Sequence, residues 1–300
     1  MPSLAPISTP AILPSMNTLV SSAIPSFVDG EPQASLALSD RGLNYGHGVF
    51  ETMALFAGQL PLWRYHCQRL AEGADRLGIR FDLPRLNAYR QQALSAFPAE
   101  GLVKLLLTAG IGQRGYRQQT PSSSYVLQYF PLAGAVAPGP ARLQLCQYAL
   151  PHNIQLAGIK HLNRLDQVLA AAELHDGFDG LLLDVDGHVI EALSRNIFLF
   201  DGQQWLTPAL SLCGVAGVMR RLLCEQIIPD IGQDVVIKPI TLPELLAASE
   251  VFVCNSVRGI QPVCELLGRG HWLTAREEGR VTETKKVIDQ LTRAYPCFAV

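Results

Sequence analysis

Apolar residues fall in short runs between polar, Gly-rich turns, and their period changes along the chain. From Trp63 to Leu77 they recur at helical spacing, through Tyr65, Leu70, Ala74 and Leu77, and Gly78 follows as a stop. That spacing predicts a helix, and Pro84 to Phe97 predicts a second. Leu102–Thr108 and Tyr125–Leu132 are apolar enough to be buried strands. The stretch Gly48–Trp63 reads as two strands joined at Ala57-Gly58-Gln59. Order is expected to begin near Ser26. Strands and helices that segregate in this way predict an α+β arrangement for the first half.

The second half alternates more quickly. Arg142–Leu150 reads as a strand and Asn163–His175 as a helix. Gly180–Val185 and His188–Glu191 form a predicted hairpin around Asp186-Gly187. Asn196–Phe200 and Gln204–Leu206 flank a turn at Asp201-Gly202. Val215–Ile228 is a predicted helix, Val235–Ile237 a strand, Pro243–Ala248 a helix and Val251–Cys254 a strand; Thr282–Ala294 closes as a helix. The uncharged, Gly- and Pro-rich segment 133–141 is the expected linker between a small domain (26–132) and a larger one (142–300). Residues 1–25 carry no charged side chain, and Pro6, Pro10 and Pro14 interrupt any apolar run, so a disordered tail is expected rather than a signal peptide. Met16 is a second candidate start of translation.

Composition narrows the function classes. The 300 residues are 48% hydrophobic and 17% charged, which excludes disorder as the main state. A net charge of -2 argues against an electrostatic nucleic-acid binder. No apolar run reaches the roughly 20 residues of a membrane-spanning helix. Seven cysteines, an odd count without a C-x-x-C pair, are expected as reduced, packed thiols in a cytoplasmic protein.

Candidate chemistry begins with lysine, which occurs only five times. Lys160 precedes His161-Leu162-Asn163-Arg164 at a turn into a helix. A desolvated lysine beside another cation is a competent amine nucleophile; spacing alone leaves an ordinary surface lysine open. The Gly-rich stretches at Asn44–Gly48, Ala109–Gly115 and Cys213–Gly217 suit either tight turns or, for the last, an anion at a helix start. No G-x-G-x-x-G joins a predicted strand to a predicted helix, and G-x-x-x-x-G-K-[ST] is absent, which removes the best support for NAD and ATP. His47, His66, His161 and His175 show no metal-ligand spacing, so no metal is expected. G-x-S-x-G is missing as well.

Several blocks together are more specific. Asp40-Arg41-Gly42, Tyr45-Gly46-His47-Gly48-Val49-Phe50-Glu51 and His66-Cys67-Gln68-Arg69-Leu70 resemble the opening of fold-type IV pyridoxal-phosphate enzymes. Gly158-Ile159-Lys160, Glu191 through Asn196-Ile197-Phe198, Gly214–Arg220 and Val251–Ser256 follow in the same order, so the resemblance spans about residues 26–290. The family comprises branched-chain aminotransferases, D-amino-acid transaminases and aminodeoxychorismate lyases. The block from Gly158 to Leu169, with Gly112-Gln113-Arg114-Gly115-Tyr116, is most similar to the lyases.

The resemblance implies two α/β-type domains with pyridoxal 5'-phosphate in the cleft between them, and a homodimer. It implies Lys160 as covalent anchor and general base, Glu191 at the pyridine nitrogen and Arg69 on the phosphate. Val215 and Ala216 would give backbone N–H groups to that phosphate, with Asn255 and Ser256 on the same side and Ser194 against the cofactor. Ala216 stands where some relatives have Thr, and Cys254 where a hydroxyl residue is found. Thr52 is the candidate proton donor to the leaving group. Arg114, with Tyr116 and Arg117, would hold a substrate carboxylate, or else stabilise its own loop. The implied reaction converts 4-amino-4-deoxychorismate, supplied by a synthase, to 4-aminobenzoate and pyruvate on the way to folate. A transaminase of the same fold is the alternative.

Overall fold

The computed structural model describes residues 25–119, 121–132, 139–272 and 281–299. The predicted tail up to residue 24 and positions 133–138 of the predicted linker lie outside the described residues.

Two sheets divide the chain. The first has the order β2-β1-β5-β4-β3, all antiparallel, from β1 (Ser26–Val28), β2 (Glu31–Pro32), β3 (Gly48–Leu55), β4 (Gly101–Thr108) and β5 (Ser124–Phe130). β3 pairs with β4 along its whole length, from Gly48 opposite Thr108 to Leu55 opposite Gly101. Helices α2 (Trp63–Arg76) and α3 (Leu83–Ala96) contribute Leu70, Ala74, Leu86 and Ala93 to one core with Met53, Leu105 and Leu127. Alternation along β3 buries Val49, Glu51, Met53 and Leu55 on the core side and leaves Phe50 and Thr52 on the other. A carboxylate among those core-facing residues demands a partner.

The two strands expected within Gly48–Trp63 are one. Ala57 and Gly58 take left-handed backbone (φ 48° and 72°), and only Phe56 and Gln59 bridge beyond them. The chain then turns directly into α2, so β3 finds its neighbour two helices later.

The second sheet runs β11-β10-β9-β12-β13-β6-β7-β8, with β14 (Gly270–His271) beside β13. Its strands are β6 (Ala141–Leu150), β7 (Asp179–Asp184), β8 (Val189–Ala192), β9 (Asn196–Phe200), β10 (Trp205–Pro208), β11 (Val235–Lys238), β12 (Glu250–Asn255) and β13 (Gly259–Leu266). Around it lie α4 (Leu165–Ala171), α5 (Val218–Leu222, continuing as a wider π turn over Leu223–Ile227), α6 (Leu242–Ala247) and α7 (Glu283–Ala294). A short α1 (Arg41–Tyr45) precedes β3.

Two predicted helices are shorter than the pattern suggests. Asn163–His175 is helical only over α4, because Glu173 leaves the helix and its carboxylate accepts from the backbone N–H groups of Gln147 and Tyr148 where β6 shifts register. Val215–Ile228 starts at Val218 instead, because Val215 and Ala216 are engaged elsewhere.

The halves interlock. Ile159 belongs to the first core, and Leu62 and Tyr65 pack into the second beside Phe198 and Phe252. Arg76, at the end of α2, donates to the carbonyls of Ile154, Gln155 and Ala157 at 2.7–3.0 Å.

Candidate active site

The segment after Ile159 lies along β3. Phe50 N–H donates to the Lys160 carbonyl and Leu162 N–H to the Gly48 carbonyl, both at 2.9 Å. This pairing sets Lys160 across from Phe50, and its Nζ sits 4.4 Å from the centre of that ring. Phe50, Thr52, Arg69, Lys160, Arg164, Glu191, Ser194, Val215, Asn255 and Ser256 all line one cavity of about 480 Å³. That volume lies in the range of small-molecule sites.

Burial governs the two titrating side chains here. It drives the Lys160 amine down to about 8, with the Arg69 charge adding to the effect. It pushes the buried Glu191 carboxyl up to about 7, against the pull of the Val215 N–H, which donates to Glu191 Oε2 at 2.9 Å. Both shifts favour the neutral forms.

Arg69 is held from behind. Its Nε donates to Glu51 Oε1 at 2.8 Å, and a second nitrogen makes a very short contact with the other oxygen of that carboxylate. Its third nitrogen donates to the Ala216 carbonyl at 3.1 Å. His66 Nδ1 closes the cluster 2.5 Å from Glu51 Oε2. Burial alone would raise the Glu51 pKa; the Arg69 and His66 partners outweigh it and bring it to about 2. A guanidinium has five N–H donors, so two remain for an anion in the cavity.

On the other wall, Ser256 Oγ donates to the Thr52 carbonyl at 3.0 Å and ties the tip of β12 to β3. The Asn255 side-chain oxygen accepts from Val257 and Arg258 N–H, and its nitrogen donates to the Ser194 carbonyl at 3.4 Å. Asn196 Nδ2 donates to the Val215 carbonyl at 2.8 Å.

Two expectations do not fit this arrangement as stated. Val215 N–H is engaged by Glu191, and Ala216 N–H donates to the Gly158 carbonyl at 3.0 Å, so neither is a free helix-start donor. Arg114, Tyr116 and Arg117 do not line the cavity; Tyr116 is 90% exposed. Their loop hangs on Arg41, which donates to the Gly115 and Tyr116 carbonyls at 2.9 and 2.6 Å. Conversely, Glu51, His66, Arg164 and Gln167 belong to the site or its support without having been singled out for a role. For Glu51 the clue was available: in a segment read as strand it shares a face with Val49, Met53 and Leu55.

The family described as amino-transferase class IV matches residues 48–266. The chain belongs to that family. An aminodeoxychorismate lyase from Vibrio harveyi is 36% identical over 246 residues, covering 79% of this chain and 89% of its own length. A putative branched-chain-amino-acid aminotransferase from Methanocaldococcus jannaschii is 28% identical, covering 87% and 91%. Among solved structures, the 4-amino-4-deoxychorismate lyase from Pseudomonas aeruginosa is 39% identical with a TM-score of 0.83, covering 89% of this chain and 98% of that one. Class IV aminotransferases are pyridoxal-phosphate enzymes of mixed α/β architecture. The donor set fits that cofactor: a half-buried amine with a depressed pKa, a buried carboxyl, and an arginine with spare N–H groups share one cavity.

Proposed function

We propose that this chain is a pyridoxal-phosphate-dependent aminodeoxychorismate lyase that converts 4-amino-4-deoxychorismate to 4-aminobenzoate and pyruvate. The observation that carries the reading is the half-buried Lys160 in a cavity shared with Glu191 and Arg69. The likeness to lyases at 36% and 39% identity supports it.

Lys160 would hold the cofactor, Arg69 its phosphate and Glu191 its ring nitrogen. When bound, the cofactor supplies an electron sink conjugated to the substrate's amino group. Lys160, part neutral near pH 8, removes the proton from substrate C4. Glu191, as carboxylate, would hold a proton at the ring nitrogen. Thr52, beside Phe50 on the cavity face of β3, gives a proton to the departing enolpyruvate, and loss of that group leaves an aromatic ring. Ser194, Asn255 and Ser256 shape the remaining wall.

The protein would work as a cytoplasmic homodimer fed by an aminodeoxychorismate synthase. Leu165, Val168 and Leu169 of α4 are exposed apolar side chains that a second copy would cover. In such a pair, the Arg114 loop would be free to serve the neighbour's cavity. No disulfide links the seven cysteines, which suits a reducing compartment, and no helix among the described residues is long and apolar enough to cross a membrane.

The test is a coupled assay with chorismate, glutamine and a synthase. Formation of 4-aminobenzoate that requires this protein, with loss in Lys160→Ala, is expected. Cofactor binding without product, together with amino-group exchange from an amino acid alone, would replace the lyase by a transaminase.

A further inference from the structure

Arg164 has no role in the argument so far, yet it reaches the same cavity. It occupies the N-cap position of α4, and Arg164, Gln167, Val168 and Ala171 all line the cavity. Steps of three, four and seven residues place them on one helical face. The root of the guanidinium is fixed, because Nε donates to the His161 carbonyl at 2.8 Å. Its terminal nitrogens have no hydrogen-bond or ion-pair partner among the described residues. The other cations at the site are engaged differently: Arg69 is matched by Glu51, Arg195 pairs with Asp179 and donates to the Gln261 side chain, and Lys160 is reserved for covalent chemistry. One turn further along, Gln167 Oε1 is buried without a partner, and turning the amide over would put an NH2 donor there.

We propose that Arg164, assisted by Gln167, is the residue that holds a carboxylate of the substrate within the same subunit as Lys160. The inference rests on the lyase reading, in which the substrate carries two carboxylates and each product one. A planar guanidinium whose two terminal nitrogens are free suits a carboxylate, and removal from bulk water strengthens the contact. Gln167 would add an amide N–H to the same group. The exposed Arg114 loop, by contrast, presents none of its described side chains to this cavity within its own chain.

The experiment uses the cofactor-loaded protein as wild type, Arg164→Gln and Arg164→Lys. The inhibition constants of 4-aminobenzoate and pyruvate, the KM for substrate and the affinity for pyridoxal phosphate are measured. In Arg164→Gln, the constant for at least one product and the KM should rise roughly tenfold or more. The kcat should fall much less, cofactor affinity should stay within twofold, and Arg164→Lys should recover part of the loss. Product constants within twofold of wild type in both variants would overturn the proposal. So would a loss confined to cofactor affinity, which would move Arg164 to the cofactor. A wild-type protein that neither cleaves the substrate nor binds either product would overturn the lyase reading itself.

Discussion

Lys160 and Glu191 are displaced in opposite directions by one cause, removal from water. The amine that attacks an aldehyde is the neutral one, so uptake of pyridoxal phosphate by the apo-protein should accelerate as pH rises through about 8. Stopped-flow absorbance measures this; a rate flat from pH 6.5 to 9 would contradict the depressed amine. For Glu191 the linkage has the other sign. Its folded-state pKa, about 7, lies above the reference 4.5, so nothing is lost below pH 4.5. Between pH 4.5 and 7 the unfolded chain ionises this carboxyl while the folded apo-protein keeps it protonated, so stability falls by an amount approaching roughly 3 kcal/mol. Glu191→Gln apo-protein should therefore lose less stability than wild type across that window in denaturant titrations. At Glu51 the situation is a buried ion pair, where removing one partner strands the other. Glu51→Gln should cost about 3 kcal/mol and weaken cofactor binding together, because Arg69 loses the carboxylate that aims it. Unchanged cofactor affinity in a folded Glu51→Gln protein would show that Arg69 needs no such support.

Among the elements, those built on a single clear period were legible from sequence: α2, α3, β4, β5 and the β7–β8 hairpin. β13 was missed, and Pro262 explains why. Proline lacks the ladder donor and argues against a central strand, yet it sits between β12 and β6 opposite Phe252. The strands at Ser26–Val28 and Gly270–His271 are too short for a period to show. At the site, Lys160, Arg69 and Glu191 were legible through the ordered blocks, and Lys160 from spacing only as one of two alternatives. Arg164 was not, because one cation in a helix-start segment is ordinary until the cavity on its flank is seen. The entrance to α5 was misjudged for a related reason. Tertiary partners at Glu191 and Gly158 capture the N–H groups of Val215 and Ala216 before the helix begins. Gly217 then has no room to be anything else: a Cβ there would meet Asn196 Oδ1 at 1.9 Å. Gly217→Ala should displace Asn196 from the Val215 carbonyl, lower stability by about 1–3 kcal/mol and weaken cofactor binding, as thermal melts and cofactor titration would show.

At the scale of the molecule, the cavity exists because each half reaches into the other. Lys160 sits on a segment that extends β3's pairing, Ile159 is anchored in the first core, and Leu62 and Tyr65 in the second. Halves joined in this way should unfold together rather than one after the other. Tryptophan tests this well, since Trp63 lies in the first half and Trp205 and Trp272 in the second. Comparing wild type with Trp63→Phe separates the two signals, and a single coincident transition is expected. Arg76→Ala removes three hydrogen bonds from one guanidinium to carbonyls just before Lys160. Charge-assisted bonds of this kind contribute about 1.5–3 kcal/mol each at most, and exposure at the rim reduces that. The variant should therefore melt several degrees lower, still in one step, and release its cofactor faster, because the segment carrying Lys160 has lost its clamp. Two separated transitions in wild type would mean that the halves fold independently and that the junction only docks them. Cofactor release would then be insensitive to Arg76, and the placement of Lys160 would have to come from its pairing with β3 alone.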